Sequence, residues 1–355
     1  MRSPDDRAVG QAADPSGMLD IVLSLPRQLR EGWRLGQAAN LQALRERPLH
    51  LVFVGLGGSA IGGDLLASAL APALPFPALV VRDARLPSYI GPRSLVVASS
   101  YSGETDETVE AAEGAATAGA SLLAVTSGGR LAAVAESRGK AVVRVPGGLP
   151  PRAALGYLVG PVLAALEQWE VCPPCDADVD EAVRVMEALG RDLSPAVPEQ
   201  RNAAKRLAGR LHNHIPVIYA ATPEVEPVAR RWKSQFNENS KTVAAWNAFP
   251  ELAHNEVVGW GAAEEIGGLL ETVVLFAGTE DARTRRLVEA ACEAMPRGLA
   301  AVHEVAGCGE GRLARLLSLV LVGDVTSVYL AYLRGVDPTP IETIVTLKQR
   351  MRGEG

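Results

Sequence analysis

From residue 50 onward the sequence alternates between two kinds of segment, and this alternation constrains the fold more than any other feature. HLVFVG (50–55), ALVVRD (78–83), SLVVAS (94–99), SLLAVTS (121–127) and AVVRVP (141–146) are short apolar runs, rich in β-branched residues and bounded by Gly, Pro or Ser, as buried strands are. Three of the gaps hold helical patterns: IGGDLLASALAPAL, TDETVEAAEGAATAG and RLAAVAESRG. Strands that are apolar on both faces and alternate with helices need a parallel sheet covered on each side. The expectation is a doubly wound α/β domain with three layers, α/β/α.

VPGGLPPRAALGYL (145–158) closes this unit and opens a long helix running to about residue 171, where CPPCDAD breaks it. Two polar helical stretches follow, at about 178–193 and 198–213. IPVIYAAT (215–222), LLETVVLFAG (269–278) and AVHEVAG (301–307) then restart the strand pattern, before a helix over 311–335 and a last one in PIETIVTLKQRM. The second half therefore repeats the architecture of the first, in pattern and not in residue identity. The predicted organisation is an N-terminal tail and helix (1–48), a first parallel-sheet domain (49–150), a helical connection (151–213) and a second domain with C-terminal helices (214–355). A length of 355 residues suits two cores of ordinary size.

Charge narrows the partners. Lys plus Arg total 35 against 41 Asp plus Glu, a formal charge of −6, and no segment concentrates base, which argues against nucleic acid. A small anionic substrate stays open, because backbone N–H groups and a few cations can hold a phosphate. The first sixteen residues, MRSPDDRAVGQAADPS, are polar and lack a signal-peptide core, so the expectation is a disordered tail on a cytoplasmic protein. The longest apolar stretch, LARLLSLVLVGDVTSVYLAYL, carries Arg315 and Asp324 and reads as a buried helix, not a membrane span. Cys172 and Cys175 have redox or half-zinc spacing, but no second pair follows at zinc spacing, and a passive linker is the favoured reading.

In an open parallel sheet, ligands bind where loops leave the carboxyl ends of the strands. Two candidates sit there: GLGGSAIGGD (55–64), containing Gly58 and Ser59, and SSYSGET (99–105). Gly55, Gly57 and Ala60 satisfy a dinucleotide fingerprint, and Asp83 follows where a ribose-binding acid would stand, so a nicotinamide-dependent dehydrogenase competes. The second loop favours a single terminal phosphate, since Ser100, Ser102 and Thr105, with Ser59, offer a cradle of hydroxyls that a pyrophosphate does not need. For each hydroxyl taken alone, turn or helix-cap duty is the competing reading.

GLGGSAIGGD, SYSGET, PRAALGYL, RWKSQFNENSK and ELAHNEVVGW together resemble the signature blocks of the bifunctional phosphoglucose/phosphomannose isomerases, proteins of two sugar isomerase (SIS) domains. The resemblance spans about residues 50 to 350. It implies an aldose–ketose isomerase acting on phosphorylated hexoses through a cis-enediol, with no metal or redox cofactor. By the same resemblance Glu238 is the base, His254 opens the sugar ring, Arg152 stabilises the enediolate, and Lys348 assists ring opening. Thr339 corresponds to a hydroxyl tied to acceptance of mannose 6-phosphate. Members pair as homodimers in which the histidine reaches the partner's site. Read on a helix, Lys233, Asn237 and Lys241 share one face with Glu238 beside it. His212, His214 and His303 read as structural. Glu104 stands where the family has Asn, and should point to solvent, away from a bound dianion. A non-catalytic phosphosugar sensor is the other alternative; it would keep the cradle but lack the base and the histidine.

Overall fold

The computed structural model describes residues 4–5, 10, 12–44, 46–260, 268–294, 302–351 and 353. The apolar runs form two parallel sheets. In the first, β1 (His50–Val54), β2 (Ala78–Val81), β3 (Ser94–Ser99), β4 (Ser121–Thr126) and β5 (Ala141–Arg144) lie in the order β2-β1-β3-β4-β5. All pairings are parallel, with Val54 beside Ala98 and Val125 beside Ser99. Alternate side chains face opposite layers: Leu51, Phe53, Leu95, Val97 and Leu123 join one core, and Val52, Val54, Val96, Ala98 and Leu122 another. This two-sided burial is why the strands read as continuous apolar runs.

The second sheet comprises β6 (Ile215–Ala220), β7 (Ala245–Ala248), β8 (Leu270–Phe276) and β9 (Val302–Ala306), also all parallel, in the order β7-β6-β8-β9. It repeats the first four positions of the first sheet, an order that the expected repeat of architecture did not specify. Strand β7, AWNA, is an addition to the sequence reading. It lies at the sheet edge, where one side needs no partner strand and little apolar content. Ile218, Ala220, Val273 and Leu275 point into the same core as Phe53 and Leu95, so one helical layer is shared between the sheets.

Within that layer the helix Leu25–Gln37 crosses the helix Leu155–Gln168 at backbone contact. A Cβ on Gly156 or Gly160 would lie 2.5 Å from the backbone N of Leu29 or Trp33. The long apolar helix is Arg312–Arg334, and its most apolar window is wholly buried, as expected. Cys172 and Cys175 are buried free thiols with Sγ atoms 3.7 Å apart, between the helices Leu155–Gln168 and Asp176–Asp192.

The expectation of a disordered first sixteen residues is corrected at its described positions. Asp14 is buried and accepts from the backbone N of Met18 (2.7 Å) and Leu19 (2.9 Å), capping the helix Met18–Leu23, and it also accepts from the Tyr332 hydroxyl (2.8 Å). Asp5 pairs with the buried Lys205 ammonium at 2.8 Å. Polar composition concealed these anchors because the anchoring groups are themselves carboxylates.

Candidate active site

Strand order reverses between β1 and β3, and the loops that follow these two strands diverge at the same edge of the sheet, the place where open α/β sheets bind ligands. They start in contact: a Cβ on Gly55 would lie 2.9 Å from the Ser99 carbonyl oxygen. Gly57 takes φ 55°, a conformation open to glycine, and starts the helix Gly58–Leu70, with Ser59 buried in its first turn. The N-terminus of this helix lies at this edge, where Ser59 N donates to Leu56 O (3.1 Å) and Ile61 N to Gly57 O (3.2 Å).

In the second loop Thr105 occupies the N-cap of the helix Asp106–Thr117, yet its hydroxyl makes no capping bond. It meets the Ser100 hydroxyl at 3.0 Å instead. Ser100 Oγ also accepts from Gly103 N (3.2 Å), and Ser102 Oγ from Glu104 N (3.2 Å). The turn reading thus holds for the acceptor side of both serines, and the cap reading fails for Thr105. Glu104 is half exposed and its carboxylate turns onto the neighbouring helix, accepting from Arg130 N at 3.1 Å with Arg130 Nε at 3.8 Å. Asp83 is exposed and closes a turn by accepting from Arg85 N (2.9 Å).

Arg152 lies in a single turn, Pro151–Ala153, directly against the first loop: a Cβ on Gly58 would lie 3.1 Å from Arg152 Cα. Its side chain is only 4% exposed and is directed by four oxygens. Nε donates to Asn239 Oδ1 (2.6 Å), Nη2 donates to the carbonyls of Pro338 (2.7 Å) and Thr339 (3.0 Å), and Nη1 lies 3.7 Å from Glu238 Oε2. Burial lowers the Arg152 pKa below the usual arginine value, and the Glu238 carboxylate opposes that shift. Glu238 ends the helix Glu226–Glu238, its side chain about one-quarter exposed. It borders a cavity of about 480 Å³ shared with Lys241, Thr242, Pro340 and Glu342. Thr339 Oγ1 is buried and makes no hydrogen bond.

RWKSQFNENSK therefore has a physical explanation that the sequence supplied only in part. Arg231 donates to the Arg152 carbonyl (2.8 Å), Asn239 accepts from the Arg152 guanidinium, and Glu238 faces it. Lys241 is a correction: the helix ends at Glu238, Lys241 has φ 54° beyond it, and its ammonium donates to the carbonyls of Glu238 (2.6 Å) and Pro338 (3.2 Å). Arg231, Asn239 and Gln28, which donates to Ala153 O (2.9 Å), support the site without having been singled out.

The structure brings Gly58, Ser59, Arg152, Glu238 and Thr339 together, with Ser100, Ser102 and Thr105 on the adjoining loop. It does not bring His254 or Lys348 to them. His254 is exposed at the end of the turn Glu251–His254, whose Leu252 packs on the far face of the second sheet with Val217 and Tyr219. Lys348 is exposed on the helix Glu342–Met351, which has no buried residue. Among the described residues, no group of three or more His, Cys, Asp or Glu is placed to hold a metal ion.

Two doubly wound sheets around a shared helical layer, with glycine- and serine-rich loops at the switch point of the first, define the class of sugar isomerase domain proteins. A solved glucose-6-phosphate isomerase like protein from Thermus thermophilus superposes with TM-score 0.61 over 95% of this chain and 98% of that one, at 22% identity. The family model for the bacterial phospho-glucose isomerase C-terminal SIS domain matches residues 200–351. A bifunctional phosphoglucose/phosphomannose isomerase of Caldicellulosiruptor bescii is 40% identical over 335 residues, covering 94% of this chain and 98% of that protein. One from Aquifex aeolicus is 34% identical, covering 85% and 90%. The chain belongs to the bifunctional phosphoglucose/phosphomannose isomerase family.

Proposed function

We propose that this chain interconverts glucose 6-phosphate, and mannose 6-phosphate as well, with fructose 6-phosphate through a cis-enediol intermediate. The observation that carries the reading is the Arg152–Glu238 pair, 3.7 Å apart beside the Gly58 loop. An aldose–ketose shift moves one proton between C1 and C2 and a second between O1 and O2; a single carboxylate carries the first on one face of the substrate, and Glu238 is that base. Charge develops on the enediolate oxygens, and Arg152 answers it with a guanidinium already fixed by Asn239, Pro338 and Thr339, so little reorganisation is needed.

The phosphate binds Ser59, Ser100, Ser102 and Thr105 at the N-terminus of the helix Gly58–Leu70, with Gly58 admitting its close approach. Thr339 sets acceptance of the mannose epimer. Ring opening falls to His254. Because His254 lies on the far face of its own second sheet, it serves the site of a second copy in a homodimer. The mechanism calls on no metal or redox cofactor, and the protein works in the cytoplasm. Glu238→Gln keeps the size and polarity of the side chain and removes the base. Its turnover on fructose 6-phosphate should fall ~100-fold or more; near wild-type turnover would refute the assignment.

A further inference from the structure

The long helix Arg312–Arg334 carries a carboxylate, Asp324, that is 3% exposed and has no part in the chemistry above. It faces Arg231, 2% exposed, across a two-pronged contact: Arg231 Nε donates to Oδ1 at 3.0 Å and Nη2 to Oδ2 at 2.5 Å. Such a pair is poorly accounted for as a stabiliser, because replacing a buried ion pair with apolar residues of similar volume is often neutral or favourable. Its geometry suggests another role. The same Nη2 that binds Asp324 also donates to the Arg152 carbonyl at 2.8 Å, and Gln28, on the helix Leu25–Gln37, holds the adjacent Ala153 carbonyl at 2.9 Å. The turn that presents Arg152 is thus gripped on two successive carbonyls. One grip is set in direction by a carboxylate that fixes the guanidinium plane and offsets its like charge beside Arg152.

We infer that Arg231 and Asp324 are a positioning pair, holding the Pro151–Ala153 turn so that the Arg152 guanidinium meets the developing enediolate charge. The inference rests on the assignment of Arg152 above. The double variant Arg231→Met/Asp324→Leu removes both charges while keeping volume. It is expected to melt somewhat below the wild-type temperature, because the Arg152 carbonyl loses its donor, with KM for fructose 6-phosphate within about twofold and kcat down ~10- to 100-fold, the range that a displacement of about an ångström produces. A purely structural pair would lower the melting temperature too and leave kcat of the folded enzyme intact.

Arg152→Met, assayed in parallel, separates the two readings. If Arg152→Met is inactive and the folded double variant keeps wild-type kcat, the positioning role is overturned while the role of Arg152 stands. If Arg152→Met is fully active, the assignment of Arg152 fails and the positioning role with it. If the double variant does not fold, Arg231→Lys decides, since it keeps the charge pair and loses the planar second donor. Reduced kcat at unchanged melting temperature supports the inference, and wild-type kcat overturns it.

Discussion

Gly103→Ala is the sharpest test of how the proposed phosphate cradle is built. Gly103 has φ 73°, and a Cβ there would lie 1.9 Å from the Gly128 carbonyl oxygen and 2.8 Å from Thr126 Oγ1. The left-handed conformation alone costs an alanine ~1–2 kcal/mol. Overpacking against backbone that cannot rotate away adds ~1–3 kcal/mol. The expected loss of ~2–5 kcal/mol is a large share of the stability of an ordinary protein, about 5–15 kcal/mol. Relief requires the 100–105 loop to withdraw by roughly 1 Å from the loop held by Ser127 N donating to Tyr101 O (3.0 Å) and Leu131 N donating to Gly103 O (3.0 Å). That motion carries Ser100 and Thr105 with it, so KM for fructose 6-phosphate should rise ~10-fold, the equivalent of one hydrogen bond. Gly119→Ala is the control: φ is 83°, but the nearest atom to its Cβ is Pro92 Cγ at 3.4 Å. It should lose only the backbone component and leave KM alone. Chemical denaturation and steady-state kinetics measure both variants. If Gly103→Ala matches Gly119→Ala in both, the cradle is not locked by this contact and the reasoning fails.

Two further outcomes follow from groups outside the reacting atoms. The Asp5 pKa is lowered, chiefly by the hydrogen bond from Lys205, so its contribution is fully present above the ordinary carboxylate value and fades as pH falls through the lowered one; melting curves from pH 7 to pH 2 should show Asp5→Asn less stable than wild type at neutral pH and equal to it in acid, and a gap that persists in acid refutes the linkage. Glu256 accepts from the Tyr219 hydroxyl (2.5 Å), from Asn247 Nδ2 and from Trp260 Nε1 (3.2 Å), two residues after His254; Glu256→Gln replaces an acceptor with a donor and should destabilise by ~1–3 kcal/mol, with faster hydrogen exchange over 249–260, whereas unchanged exchange would show that the network does not hold this segment.

The fold was legible where burial writes itself into composition. SLVVAS and SLLAVT are buried almost throughout and were recognisable as strands; AWNA, at an edge with its Trp and Asn half-buried, was not. The same logic explains the N-terminal misreading. A helix cap or an ion pair made by an aspartate lowers apparent hydropathy while it anchors chain, so a polar segment reads as a tail although Lys205 holds Asp5 and Tyr332 holds Asp14. The site divides along a similar line. Loop hydroxyls and the glycine turn are local features of a strand end and could be read, but Arg231 and Asp324 stand 93 residues apart, and nothing short of the tertiary fold joins them.

The two sheets share the order of four strands, yet the loops at their switch points are built differently. After β3, the loop keeps hydroxyls that pair with each other and with single backbone N–H groups, so their remaining hydrogen-bonding capacity stays open to an anion. After β8, the chain supplies its own anion. Glu280, with a side chain that is 0% exposed, accepts from Ala277 N and from Gly278 N (3.0 Å), and Arg285 approaches it at 4.0 Å. Those N–H groups are satisfied internally, and a phosphate would have to displace a buried carboxylate to reach them. The second half contributes the helix that ends in Glu238 and the oxygens that direct Arg152, while its own loop after β8 is closed by Glu280.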